Sequence, residues 1–202
     1  DVLDPADPGS FTTMNRSEVM AAWATHARLT GLPPRPEAEP SPEQLGALRA
    51  KLAAGGPPAV DFAIWGPHDR RHARDRRSMA MVWIDGALQP RPMAGPSSFE
   101  EWDLAWAVFA AAMISLGAAV PAALARYRDG VRELTVLYPS LWGVVSRADE
   151  AMRFEQWGRM SMEVPPESGD WSAISAASAW GEEGRRQWWW DRRVVKLALI
   201  HI

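Results

Sequence analysis

The chain has 202 residues, of which 22 are basic and 25 acidic, and it contains no cysteine. This length corresponds to one domain, or to one domain with a small appendage, and the hydrophobic fraction of 47% is that of a globular protein. Without cysteine the chain cannot form disulfides, thiolate zinc sites, iron–sulfur clusters or a cysteine nucleophile. Its 12 tryptophans supply a large apolar area for so small a protein.

The N-terminal part is predicted to hold two short helices. Residues 1–14 are acidic and proline-rich, and we expect a flexible lead-in; they lack the basic region and apolar stretch of a secretory signal, which favours an intracellular protein. Across 15–56, Asn15 with Glu18 and Ser41 with Gln44 are spaced as capping boxes that begin helices. The proline-rich residues 33–42 between them are predicted to form a stiff linker.

Residues 57–94 have the pattern of a small antiparallel sheet. Apolar residues alternate with others from Val60 to Ile64, which is the period of a strand, and Met79–Ile84 forms a second apolar run. Asp85-Gly86 is a hairpin signal, so residues 87–91 are expected to return as a third strand. This region is therefore predicted to be a three-stranded β-meander.

Residues 95–202 are predicted to form a helical bundle. Two successive segments carry apolar stripes at helical spacing, and a third helix is expected over 140–160, a short one over 170–180 and a last one over 182–199. The first stripe consists of Phe99, Trp102, Trp106, Phe109, Met113 and Leu116, and the second of Leu124, Tyr127, Val131, Leu134 and Tyr138. The predicted fold class is α+β, mostly a helical bundle with the small meander, and 57–202 is expected to be one packed unit.

An uncharged stretch of 22 residues, 104–125, raises the question of a membrane span. The stretch is mostly alanine, it contains Ser115, Gly117 and Pro121, and its bulky apolar residues lie on one stripe. We therefore expect no membrane span.

Two basic islands interrupt an otherwise acidic chain: residues 63–92 carry 6 basic and 3 acidic groups, and residues 185–202 carry 5 and 1. Arginines bind phosphates and tryptophans stack on bases, so the islands are predicted to bind single-stranded nucleic acid. The predicted contacts are Arg70, Arg71, Arg74, Arg76, Arg77, Arg185, Arg186, Trp188, Trp189, Trp190, Arg192 and Arg193. For the first island the alternatives are a solvated connector or a connector that pairs with the acidic helical half of the chain. For the second island the alternative is a terminal helix clamped to the core, with its arginines stacked on indoles.

No catalytic residue, cofactor or metal site is predicted. His68 and His72 have metal-ligand spacing, but five arginines in the same ten residues would repel a cation. Asp149 and Glu150 could do acid–base chemistry in a cleft. Asp149–Arg153 and Glu155–Arg159, however, have the i,i+4 spacing of ordinary surface ion pairs. An enzyme is the least favoured class.

The order of several motifs resembles a domain that is repeated many times in predicted dinoflagellate proteins, some of which carry reverse-transcriptase segments. The resemblance extends over about residues 15–195. It rests on these residues: 41–45, 60–67, Arg70-Arg71, 84–86, 95–99, Trp102, 106–109, 112–114, 134–139, 142–145, 148–153 and 155–157. The family has no established activity, so it assigns no functional residue.

The resemblance implies a non-enzymatic module of a mobile-element-type protein that binds nucleic acid or takes part in assembly. Relatives carry charges within the stretch matching 104–125, which also argues against a membrane span. This chain has alanines there, and a decayed copy remains an alternative. The second functional hypothesis is a protein–protein interaction module, or a peripheral subunit of a larger complex, in which exposed tryptophans would anchor the interface.

Overall fold

The computed structural model describes residues 13–62, 65–67, 77–84, 87–163, 166 and 169–177. The protein is helical in this part of the chain. Its elements are α1 (Arg16–Thr30), a 3-10 turn (Pro36–Ala38), α2 (Pro42–Ala53), β1 (Arg77–Ile84), β2 (Ala87–Ala94), α3 (Phe99–Ser115), α4 (Pro121–Leu137), α5 (Trp142–Ala151), a π-helical turn (Met152–Gln156), α6 (Trp157–Glu163) and α7 (Ser172–Ala177).

The two predicted N-terminal helices are confirmed, together with their caps. Asn15 and Ser41 each accept a hydrogen bond from the backbone N–H three residues on, and Glu18 and Gln44 each accept one in return from the cap backbone. The residues between the helices, predicted to be a linker, are packed against the protein, since Pro34 and Pro40 are buried. The flexible lead-in was predicted for 1–14, of which residues 1–12 lie outside the described residues.

The α+β prediction is wrong, because the described chain contains no three-stranded meander. β1 and β2 pair only with each other, antiparallel, from Arg77 opposite Ala94 to Ile84 opposite Ala87. A two-stranded ribbon has no central strand, so Pro90 and Pro92 are tolerated in β2. The protein is therefore helical.

The predicted first strand, around Val60, is an irregular segment held by side chains. Val60 and Phe62 are buried and Asp61 is exposed, so the alternation in the sequence does report burial. The backbone, however, is bound by side chains: Lys51 Nζ donates to the Ala59 carbonyl oxygen at 2.6 Å, and Arg153 Nη1 donates to that of Val60 at 2.6 Å. Alternation alone does not distinguish this arrangement from a strand.

Helices α3 and α4 form the predicted helical hairpin and the centre of the core. Apolar residues of α1, α2 and the 59–65 segment belong to the same buried cluster as those of α3. Through its middle runs a series of stacked rings: Phe99 on Trp102 (5.7 Å between centroids), Trp102 on Trp106 (5.1 Å) and Trp106 on Tyr127 of α4 (4.7 Å). Two polar groups of this stack, the Trp102 indole N–H and the Tyr127 hydroxyl, therefore lie in the interior.

The third predicted helix of the bundle is present but is not regular. Helices α5 and α6 are continuous through the π-helical turn, in which the Trp157 N–H donates to the Met152 carbonyl oxygen five residues back. One extra residue in this turn shifts the apolar spacing, which explains why the sequence shows no clean stripe here. Of the last two predicted helices, the one over 170–180 is present as α7 in its described part, and the helix over 182–199 falls outside the described residues.

Candidate functional site

A buried carboxylate, Asp149 of α5, organises the polar interior. Its side chain is completely buried and accepts hydrogen bonds from the Trp102 indole N–H (2.8 Å) and the Tyr127 hydroxyl (2.8 Å). The Arg153 guanidinium completes the set, with Nη2 at 2.9 Å from Asp149 Oδ2 and Nε at 3.1 Å from the same oxygen. We call Trp102, Tyr127, Asp149 and Arg153 the Asp149 cluster.

Arg153 is placed by the π-helical turn that contains it. Only 2% of the residue is exposed, and its guanidinium carbon lies 3.8 Å from the centroid of the Phe62 ring. Burial opposes the charged form, but the charge and hydrogen bonds of Asp149 outweigh it and raise the pKa of Arg153. Arg153 and Asp149 thus form an ion pair in the interior of the protein.

The prediction of a surface ion pair between Asp149 and Arg153 is wrong in one respect: the i,i+4 pair exists, but it is buried. The sequence did contain a signal for this. Trp102 and Tyr127 lie on core-facing stripes, and each brings a polar group that needs an acceptor when buried. An acidic residue on a neighbouring amphipathic helix could meet that need.

A small cavity of about 90 Å³ lies beside the Asp149 cluster. Asp61, Glu150 and Arg147 contribute charged groups to its wall, and Phe62 and Phe154 contribute rings. Although Glu150 is exposed as a residue, partial removal of its carboxyl group from water raises its pKa, and the nearby Asp61 and Asp149 act in the same direction. No histidine is among the described residues that line this cavity.

Two carboxyl groups of this cavity bear on acid–base chemistry. Asp149 already accepts from Trp102, Tyr127 and Arg153, so its lone pairs are engaged within the Asp149 cluster. Glu150 has the raised pKa that a general acid needs.

A wider groove of about 840 Å³ lies between the first half of α3 and the last half of α4. Phe99, Tyr138 and Trp142 contribute aromatic surface, and Leu104 and Val136 are 38% and 71% exposed. An ion pair between Arg128 and Asp103 joins the two helices within this groove. The lining thus combines apolar and charged side chains, as many protein-binding surfaces do.

The structure describes little of the two basic islands. Arg77 is the first residue of β1, and its backbone pairs with that of Ala94. The other predicted nucleic-acid contacts, like His68 and His72, lie outside the described residues; they are Arg70, Arg71, Arg74, Arg76, Arg185, Arg186, Trp188, Trp189, Trp190, Arg192 and Arg193.

Two further sequence questions concern metals and membranes. Over the described ranges, no group of three or more histidine, aspartate or glutamate residues is arranged to hold a metal ion. None of the helices in those ranges is both long enough and apolar enough to cross a bilayer. Much of the uncharged stretch 104–125 lies in α3, in which Ala105, Ala111 and Ala112 are buried.

Comparison with known proteins yields no relative: no family model, no curated protein and no solved structure matches this chain.

Proposed function

We propose that the protein is a non-enzymatic module that binds single-stranded nucleic acid, of the kind found in mobile-element proteins. The observation that carries the proposal is the concentration of positive charge in residues 63–92 and 185–202 of a chain whose net charge is −3. In the first island Arg70, Arg71, Arg74 and Arg76 directly precede Arg77 and β1. Such clustering attracts polyanions although the whole chain is acidic.

The second island combines the two groups that single-strand binders use. Trp188–Trp190 would stack on bases, and Arg185, Arg186, Arg192 and Arg193 would follow the phosphates. The resemblance to domains associated with retroelements supports the same function. Stacking on indoles is tolerant of sequence, so binding is expected to depend on strand length and salt more than on base order.

The test is a titration of labelled single-stranded and duplex oligonucleotides, followed by fluorescence at two salt concentrations. We expect tighter binding to single strands, quenching of tryptophan emission, and an affinity that falls steeply as salt rises. The first variant replaces five arginines of the first island with glutamine: Arg70, Arg71, Arg74, Arg76 and Arg77. The slope of log K against log salt should become shallower by up to about 3.5, at about 0.7 for each phosphate that is no longer neutralised.

A matched control removes the same number of charges elsewhere. This control variant replaces five exposed helical arginines with glutamine, which gives the same change in net charge. The five are Arg16, Arg28, Arg126, Arg132 and Arg159. If both variants lose the same affinity, the loss is due to net charge alone, and the prediction that the first island binds nucleic acid is contradicted. An absence of binding at low salt would overturn the proposal altogether.

The second candidate function is a protein–protein interaction module, and the groove between α3 and α4 favours it. Val136 is 71% exposed on its rim, beside aromatic side chains that could receive a partner's apolar residues. The test is light scattering across a range of concentrations. The matched control is Met162→Glu, at an 84% exposed position on α6. Self-association would support this candidate if Val136→Glu abolishes it and Met162→Glu does not. A monomer at every concentration, with the two variants indistinguishable, would count against it.

A further inference from the structure

Residues 32–36, Leu-Pro-Pro-Arg-Pro, form an extended segment that the sequence itself enforces. Each of the five residues is either a proline or directly precedes one. Proline fixes φ near −65°, and the residue before a proline is driven to extended backbone. Arg35 has φ −68° and ψ 145°, which are the angles of a polyproline II helix. We call residues 32–36 the proline segment.

Both ends of the proline segment are fixed to the body of the protein. At the start, Gly31 ends α1 with φ 86°, and the Leu32 carbonyl oxygen lies 2.9 Å from Nδ1 of buried His26 and 2.7 Å from the Thr30 hydroxyl, which donates to it. At the end, the chain enters the 3-10 turn Pro36–Ala38, which contacts α3. The segment is therefore held in its extended conformation in the free protein.

The proline segment uses one of its three edges for attachment and presents the other two. A polyproline II helix has three residues per turn, so Leu32 and Arg35 share one edge, and Pro33 and Pro36 share another. Pro34, on the third edge, is buried against the protein. Leu32, Pro33, Arg35 and Pro36 are all exposed, and Leu32 is exposed by 71%.

The backbone of the proline segment is also available to a partner. Neither Pro33 nor Pro34 uses its carbonyl oxygen in a hydrogen bond within the described part of the protein. Polyproline II helices have no internal hydrogen bonds, so these oxygens can accept from donors on a partner's surface. Within the described part of the protein Pro34 makes the buried contact, while Leu32, Pro33 and Pro36 stay exposed.

From this arrangement we propose that the proline segment is a docking site for a protein domain with an aromatic-lined groove of the SH3, WW or EVH1 kind. Such grooves receive two edges of a polyproline II helix between aromatic side chains and donate hydrogen bonds to its carbonyl oxygens. The partner's groove would also carry an acidic side chain to pair with Arg35. Because the segment is already extended, little conformational entropy is lost on binding.

The experiment measures binding of the purified whole chain to a panel of purified SH3, WW and EVH1 domains by biolayer interferometry. We expect saturable binding to at least one domain, with Kd below about 1 mM. The double substitution Pro33→Ala with Pro36→Ala should weaken that binding by about tenfold or more. Arg35→Glu should weaken it as well, without altering any proline.

Two controls separate docking from general effects. Pro139→Ala changes an exposed proline at the end of α4, and Arg28→Glu reverses an exposed arginine on α1, so neither should alter the affinity. Thermal melts of all variants identify any loss of folding, and Arg35→Glu leaves the buried Pro34 in place. Failure of every domain to bind, or affinities unchanged by both sets of substitutions, would overturn the proposal.

Discussion

At the scale of single residues, the cost of a buried charge is the strongest constraint on this protein. Asp149 is wholly removed from water, and three side chains from α3, α4 and the π-helical turn supply the hydrogen bonds that water would have supplied. A buried ion pair contributes little net stability compared with apolar residues, but removing one partner leaves the other charge unpaired. The Asp149 cluster is thus far more sensitive to substitution than the exposed charges.

We expect Asp149→Asn to lower the free energy of unfolding by about 3 kcal/mol, because it leaves the Arg153 charge buried and unpaired. Adding Arg153→Met to that variant should recover part of the loss, since it removes the unpaired charge. Urea unfolding measures both effects. Asp129→Asn, on the exposed face of α4, is the control and should change stability by no more than about 0.5 kcal/mol. A similar loss in the two single variants would contradict the assignment.

Glu150 should give a pH-dependent difference in stability. Its pKa is raised from 4.5 in the folded protein, so the stability that its proton provides is complete below pH 4.5 and is lost as the pH rises through the raised value. Glu150→Gln stays neutral throughout. Its Tm should therefore match the wild-type Tm near pH 4 and exceed it at pH 7. Glu163→Gln, exposed at the end of α6, should show no such trend; a lower Tm for Glu150→Gln at pH 7 would contradict this interpretation.

At the scale of elements, the helices with clear start signals were predictable and the irregular ones were not. Asn15 and Ser41 each precede a helix and accept the expected backbone hydrogen bond, because capping depends on local geometry alone. The 59–62 segment and the π-helical turn escaped prediction because distant partners determine them. Val60 is held by Arg153, which lies 93 residues away.

The π-helical turn should tolerate the loss of one residue. Removing the exposed Glu155 converts the turn to an α-helical one while Arg153 and Trp157 keep their faces. Removing the exposed Ala107 from regular α3 instead rotates everything beyond it by about 100° and takes its apolar stripe away from the core. We expect the deletion of Glu155 to cost much less stability, as measured by urea unfolding. Equal costs would contradict the view that the turn contains one extra residue.

At the scale of the whole molecule, the described helices share one core. Met14, Leu45 and Leu48 from the N-terminal part belong to the same buried cluster as Trp102 and Trp157. The sequence predicted the helices and their apolar faces, but not that the fold class is helical, because the predicted first strand depended on alternation alone. The binding role of the basic islands stays a prediction, because most of their arginines and tryptophans lie outside the described residues. The Asp149 cluster was not predicted, because it depends on contacts between distant parts of the chain.

A shared core implies a single unfolding transition. Tryptophan emission reports on all 12 indoles, among them Trp102 and Trp106 of the ring stack, and far-UV circular dichroism reports on all the helices. The two signals should therefore change at the same urea concentration. The comparison needs no variant. An earlier loss of ellipticity, while the emission stays native, would show that the N-terminal helices unfold separately from the ring stack.

The Asp149 cluster also determines when the chain can fold during its own synthesis. Val60, Trp102 and Tyr127 leave the ribosome before the two charged residues that join them, and Arg153 follows Asp149 by only four positions. A nascent chain that ends before residue 149 therefore exposes the tryptophan stack without its acceptor. Assembly of the Asp149 cluster must therefore wait until α5 and the π-helical turn have been synthesised.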